Sequence, residues 1–268
     1  MYYNLLSSMS SGVITPSYTA RTTAFATATG ITDTTILNAL NTFDLGLISN
    51  GLDTKMKAVY PFVGGTATTH KFNFMDARDL DVAFRLQFNG GGTFSSTGYQ
   101  PNGTNAYANT FLPPLSNLPP TSSHISFYSR TNVSTTQVEM GVTTGTNDQY
   151  LIEINTSGIS YFAVNNSGFI SSSDANSLGF YVGNRTASNV INGWKNSTKV
   201  VSGTNPSSSL TSSFNPIFIA AWNEYGNAKY YSNKECAFSS IGNGLTDGEA
   251  TTFYNLVQAM QTTLSRQV

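Results

Sequence analysis

The sequence predicts a mainly β protein, an antiparallel jelly-roll sandwich with a short helical region near its N-terminus and one helix at its C-terminus. Three observations carry this prediction. From about residue 80 the apolar residues recur with period two in short runs such as "QYLIEIN", "ISYFAV" and "LGFYVG". Clusters of turn-forming residues, among them "NGGG", "NTSG" and "NNSG", separate the runs. Helical periodicity is confined to the segments before and after them.

Taken in order, residues 1 to about 60 read as an extended lead followed by helix. "YTARTTAFATA" suggests a short helix ending before Gly30. In the next segment Ile36, Leu40, Phe43 and Leu47 form one apolar stripe, with Thr32 or Asp33 as N-cap and Gly51 as the stop. "DVAFRLQF" then sets Val82, Phe84, Leu86 and Phe88 against Ala83, Arg85 and Gln87, which reads as the first sandwich strand. "SHISFYS", "QVEMGV", "QYLIEIN", "ISYFAV", "LGFYVG", "IFIAAW" and "AKYYS" continue the pattern. No fixed-period repeat joins them, which argues against a propeller or β-helix. Near the end, Thr246 and Glu249 have capping-box spacing ahead of an apolar face of Phe253, Leu256, Val257, Met260 and Leu264. The domain division that follows is an extended and helical assembly or anchoring region over 1–60 and a jelly roll over 61–268.

Composition limits the function. Hydrophobic residues make up 39% of the chain and charged residues only 10%, so the polar surface is built from Ser, Thr, Asn and Gly, which suits short strands and many turns. The net charge of −1, with scattered Lys and Arg, offers no basic patch, and no nucleic-acid partner is expected. No run reaches the ~18 apolar residues of a membrane span, and the N-terminus lacks the basic region of a signal peptide. The single cysteine, Cys236, lies in the alternating "ECAFSSI" and reads as a buried strand residue.

Charge is concentrated in one place. "HKFNFMDARDLDVAFR", residues 70–85, holds Lys71, Asp76, Arg78, Asp79, Asp81 and Arg85 beside His70. Calcium could take Asp76, Asp79 and Asp81, with His70 nearby, but the spacing lacks the order of an EF-hand loop. The expectation is therefore no cofactor, with calcium as the alternative. No catalytic residue is assigned: Glu139, Glu153, Glu224, Glu235 and Glu249 are isolated from one another, and no Gly-x-Ser-x-Gly elbow is present. The preferred reading is structural, with Asp76, Arg78, Asp79, Asp81 and Arg85 forming an ion-paired clamp where the helical lead meets the sandwich. His124 reads as a strand-end side chain and Trp222 as core. Trp194, in the polar hairpin "NGWKN", reads as exposed. With Tyr99 and Tyr107 of the turn-rich stretch 88–120, it forms the expected ligand-contact set.

The C-terminal stretch "FNPIFIAAWNEYGNAKYYSNKECAFSSIGNGLTDGEATTFYNLVQAM" resembles the concanavalin A-like, laminin-G-like jelly-roll superfamily, as does the hairpin "NVINGWKNSTKVV". "LDTKMKAVYPFVGGTATTHKFNFMDARDLDVAFRLQFNGGGTFSSTGYQPNGTNAYANTFLPP" resembles a block in phage structural proteins, especially those of phages of Bacteroidetes. The resemblance implies a non-enzymatic component of a virion surface: a head fibre, a capsid decoration or a tail-associated protein. Its partners would be other virion proteins, copies of itself and host surface glycans, and its place extracellular. The alternative is a carbohydrate-binding module recognising bacterial surface glycans. A polysaccharide-degrading enzyme ranks third.

Overall fold

The computed structural model describes residues 18–143, 149–208 and 215–268. The extended lead ahead of residue 18 and the turn at 144–148 lie outside the described residues. The chain opens with helices α1 (Ala20–Thr29) and α2 (Thr34–Ser49), strand β1 (Met56–Tyr60) and the one-turn helix α3 (Ala67–His70). Short strands β2 (Gln87–Asn89), β3 (Thr93–Ser95), β4 (Gly98–Gln100) and β5 (Tyr107–Asn109) follow, then the one-turn helix α4 (Pro114–Asn117). Longer strands come next: β6 (Ser123–Ser129), β7 (Met140–Thr143), β8 (Gln149–Thr156), β9 (Ile159–Asn166), β10 (Ile170–Ser173), β11 (Gly179–Ala187), β12 (Val190–Lys195) and β13 (Thr198–Gly203). The chain ends with β14 (Phe218–Ile219), β15 (Trp222–Glu224), β16 (Asn227–Lys229), β17 (Cys236–Gly242) and helix α5 (Asp247–Thr263).

The strands build two sheets. One has the order β13-β12-β11-β6-β17-β4-β3, with β1 also paired to β17. The other has the order β10-β9-β8-β7-β14-β5-β2, extended by the β15–β16 hairpin, whose β15 runs parallel to β7. Alternation explains how they pack. Ile125 and Phe127 of β6, Tyr181 of β11, Ile152 and Ile154 of β8 and Phe162 and Val164 of β9 fill the core between the sheets. The intervening residues of the first sheet, Tyr128, Phe180, Val182, Trp194 and Phe238, face a second core under α1, α2 and α5. The first sheet is thus covered on both faces, which is why every residue of β6 and β17 is buried. Among the described residues no helix is long and apolar enough to cross a membrane.

The predicted helices form with the predicted caps. The Asp33 carboxylate accepts from the amides of Thr35 and Ile36, and Gly51 takes the left-handed conformation after α2. Thr246 and Glu249 close a full capping box on α5, and Lys55 pairs with Glu249 at 2.6 Å. Gly46 lets α2 and α5 approach closely, because a Cβ there would lie 2.3 Å from Leu256 Cδ2. Three details differ from expectation. "IFIAAW" is not one strand but two, Phe218–Ile219 and Trp222–Glu224, with Ala220 left-handed between them. Met56–Tyr60, at the end of the predicted lead, is a strand of the sandwich. "DVAFRLQF" is not one strand: Asp81–Ala83 is a 3₁₀ turn, Phe84 is left-handed, and Val82 is 73% exposed. Tertiary hydrogen bonds override the alternation here. Asn73 Nδ2 donates to the Ala83 carbonyl at 3.0 Å and the Tyr60 hydroxyl to the Phe84 carbonyl at 2.7 Å.

Candidate functional site

The expected ligand contacts do not gather. Trp194 is only 4% exposed, because α5 and its neighbours cover the face of β12 that carries it, and Lys199 Nζ lies 5.6 Å from its ring centre. Tyr99 is fully buried, against Phe88, Phe94 and Phe62 at ring distances of 4.9, 5.3 and 6.2 Å. Tyr107 is half-buried on β5, packed on Phe218 at 4.6 Å and Tyr231 at 6.2 Å.

The charged stretch resolves into surface pairs. Asp76 takes two bonds from Arg78, Asp79 pairs with Lys71 at 2.5 Å, and Asp81 pairs with Arg85 at 2.7 Å. Hydrogen bonding to Arg78 holds the Asp76 carboxyl below its ordinary value. His70 is not among these carboxylates. It is buried edge-on to Phe62 and Phe94, both at 5.6 Å, and burial together with Arg266 lowers its pKa to about 3. No group of three or more His, Cys, Asp or Glu able to hold a metal occurs among the described residues.

Sequence reasoning missed the hub of this junction. Arg266, 1% exposed, donates to the carbonyls of Pro61, Phe62 and Ala237 and to Gln261 Oε1, at 2.6, 2.8, 3.1 and 2.6 Å. It thereby ties the entry to the sandwich, strand β17 and the C-terminus to one side chain. Burial, with help from Arg130, lowers its pKa to about 10.

One constellation looks catalytic in outline. His124 Nε2 lies 3.0 Å from Ser240 Oγ, which lies 2.6 Å from Ser126 Oγ. Its Nδ1 meets the Asn243 carbonyl at 2.6 Å, not a carboxylate, and all three side chains are fully buried. Burial lowers the His124 pKa to about 4, and burial raises the Cys236 thiol well above its usual value. These groups fasten β6 to β17 and lie beyond the reach of a substrate.

Aromatic side chains gather accessibly on the outer face of the second sheet. Register places Trp222 of β15, Gly141 of β7, Leu151 of β8 and Ala163 of β9 in one cross-strand row. A Cβ at Gly141 would stand 2.8 Å from the Tyr150 carbonyl oxygen, so this place in the row carries no side chain. Val138, Leu151 and Ala163 form an apolar floor separate from both cores, flanked by Tyr161 and Trp222. Tyr230 stands beside Trp222, with ring centres 5.7 Å apart and planes inclined by 38°. Phe169 stands edge-on to Tyr161 at 6.0 Å. Phe169 and Tyr230 are 43% and 50% exposed. With Thr136, Gln137 and Glu153 they line a groove of about 220 Å³, below the roughly 300–1,000 Å³ of pockets that enclose small molecules. Its rim is fixed: Gln137 Oε1 accepts from Thr135 Oγ1 and the Asn233 amide at 2.9 and 3.0 Å, and Glu153 Oε1 accepts from Thr156 Oγ1.

Trp222, expected in the core, is therefore the half-exposed tryptophan and Trp194 the buried one. Tyr161, Phe169 and Tyr230 escaped the sequence reading. Tyr161 lies in "ISYFAV" and Tyr230 in "AKYYS", runs that the periodicity had marked, whereas Phe169 follows the turn "NNSG" and carried no periodic signal.

No protein-family model matches the chain, and no curated protein matches it. Among solved structures, a receptor binding domain is similar at 12% identity and a TM-score of 0.51, over 78% of this chain and 52% of that one. Domain 4 of AbnA, a GH43 extracellular arabinanase from Geobacillus stearothermophilus solved with arabinotriose, is similar at 13% identity and a TM-score of 0.47, over 76% of this chain and 98% of that one. The NanB sialidase from Streptococcus pneumoniae, as a point mutant, is similar at 16% identity and a TM-score of 0.45 over 61% of this chain, which spans only 27% of the sialidase's length. At these identities the likeness is one of fold: a mainly β, two-sheet jelly-roll sandwich with helices before and after it.

Proposed function

We propose that the chain is a non-catalytic binding module that attaches to carbohydrate through the aromatic groove on its second sheet. One observation carries this reading: Trp222, Tyr230 and Phe169 stand half-exposed around an apolar floor, on a sheet face that no helix among the described residues covers. Exposed aromatic rings beside fixed polar groups suit a sugar ring, whose C–H face stacks while its hydroxyls find hydrogen-bond partners. The proposed setting is extracellular, on a phage virion as a head fibre, capsid decoration or tail-associated protein, in line with the phage-protein block that residues 52–114 resemble. Other virion proteins and further copies of the chain are its proposed partners there.

The test is a glycan array probed with the full chain and with Trp222→Ala. Binding that Trp222→Ala abolishes, while Tyr107→Ala leaves it intact, supports the groove. An array without signal at high protein concentration overturns it. Mass spectrometry of purified particles tests the setting, and absence of the chain from virions overturns the virion role.

A further inference from the structure

We infer that the groove selects neutral saccharides and rejects acidic ones, such as sialylated or uronic-acid glycans, an inference that rests on the carbohydrate-binding reading above. Glu153 is the one charged side chain among the described residues lining the groove. It lies on β8 directly opposite Tyr161 of β9, at the edge of the aromatic wall. The Thr156 hydroxyl can give its one proton to Glu153 Oε1, the Thr135 carbonyl at 3.0 Å being the competing acceptor, and the strand register sets where the carboxylate stands. No cation pairs with Glu153 among the described ion pairs, so its charge is not cancelled locally.

Lys229, Lys234 and Lys195 are each paired with another carboxylate. Lys229 of β16 pairs with Glu224 of β15. Lys234 is fully buried against Glu139 at 3.0 Å. Lys195 pairs with Asp174 at 2.6 Å. An acidic sugar in the groove would bring a carboxylate toward Glu153 with no guanidinium or ammonium to receive it. A neutral sugar meets no such conflict. Its hydroxyls donate to the acceptor-only carboxylate, and its apolar face lies against Trp222 and Tyr230. The small volume and the 38° between those two rings suit one or two flat pyranose units of a chain passing over the surface.

The experiment titrates the full chain, followed by calorimetry and by tryptophan fluorescence. The neutral probes are gluco-, manno-, galacto- and xylo-oligosaccharides; the acidic probes are sialyllactose and oligogalacturonate. The wild type is expected to bind at least one neutral probe and to bind both acidic probes on the order of tenfold more weakly or not at all. Trp222→Ala is expected to lose binding, and Trp222→Phe, which keeps an aromatic wall, to retain part of it. Glu153→Gln is expected to weaken neutral binding several-fold and to narrow the gap to the acidic probes, with an unchanged Tm as the folding control. Trp222-dependent binding of an acidic probe as tight as any neutral one overturns the charge selection and leaves the groove reading standing. Absence of binding by every probe, or binding indifferent to Trp222, overturns both.

Discussion

Arg266 shows how one side chain can hold a junction that its sequence context does not announce. It is almost fully buried, and the carbonyls of Pro61, Phe62 and Ala237 have it as a donor. Arg266→Ala removes those donors together, at about 1–3 kcal/mol for each buried group left unpaired. The expected result is a Tm lower by roughly 10 °C in scanning calorimetry. Arg78→Ala should leave the Tm close to wild type, because that side chain is 63% exposed and its partner Asp76 is a sequence neighbour. Equal losses in the two variants would place the clamp in the exposed pairs instead. Nothing in "LSRQV" marks Arg266 as buried, since its acceptors come from segments more than two hundred residues earlier as well as from β17. Six charges within residues 70–85, by contrast, are conspicuous in the sequence although they lie at the surface.

The elements were legible where local chemistry decides them. Caps, stripes and period-two runs identify α1, α2, α5 and the long strands, because those signals act over a few residues. Thr246→Ala tests one of them. It removes the acceptor of the Glu249 amide in the capping box and should cost about 1 kcal/mol, read as a lower urea midpoint at unchanged slope. An unchanged midpoint would mean that packing alone fixes the start of α5. Alternation fails when the element depends on distant partners, as at 81–84, where Asn73 and Tyr60 bind the backbone of a turn. It also cannot say which face of a sheet a second layer will cover. That ambiguity exchanged the two tryptophans: helices close over Trp194, and among the described residues no helix closes over Trp222. The candidate site was unreadable for the same reason: Leu151, Glu153 and Tyr161 lie in strands that were correctly located, but Phe169 and Tyr230 lie just outside β10 and β16.

Across the whole molecule, buried titratable groups set the response to acid. His70 and His124 sit neutral inside the fold, with pKa values lowered to about 3 and about 4. The unfolded chain binds a proton at each near pH 6.5, so unfolding takes up protons below that value and stability falls with pH. Each histidine contributes stability that is present above pH 6.5 and is lost as pH drops toward its folded value. Glu139 acts in the opposite sense. Burial beside Lys234 raises its carboxyl to about 7, against the pull of that lysine and of the Ile154 amide, so folding takes up a proton there as pH falls from 7 toward 4.5. Between pH 7 and 5 it offsets roughly one histidine, and below 4.5 it offers no further relief. The wild type should therefore hold its stability well to about pH 6 and lose it steeply between pH 5 and 4. His124→Gln should be less stable at pH 7.5, since it disturbs the links to Ser240 and Asn243. Its slope of unfolding free energy against pH should nevertheless be shallower by about 1.4 kcal/mol per pH unit, the value of one proton. Urea melts from pH 7.5 to 4 measure both quantities. Parallel slopes for wild type and variant would remove His124 from the acid response and leave His70 and the surface carboxylates to account for it.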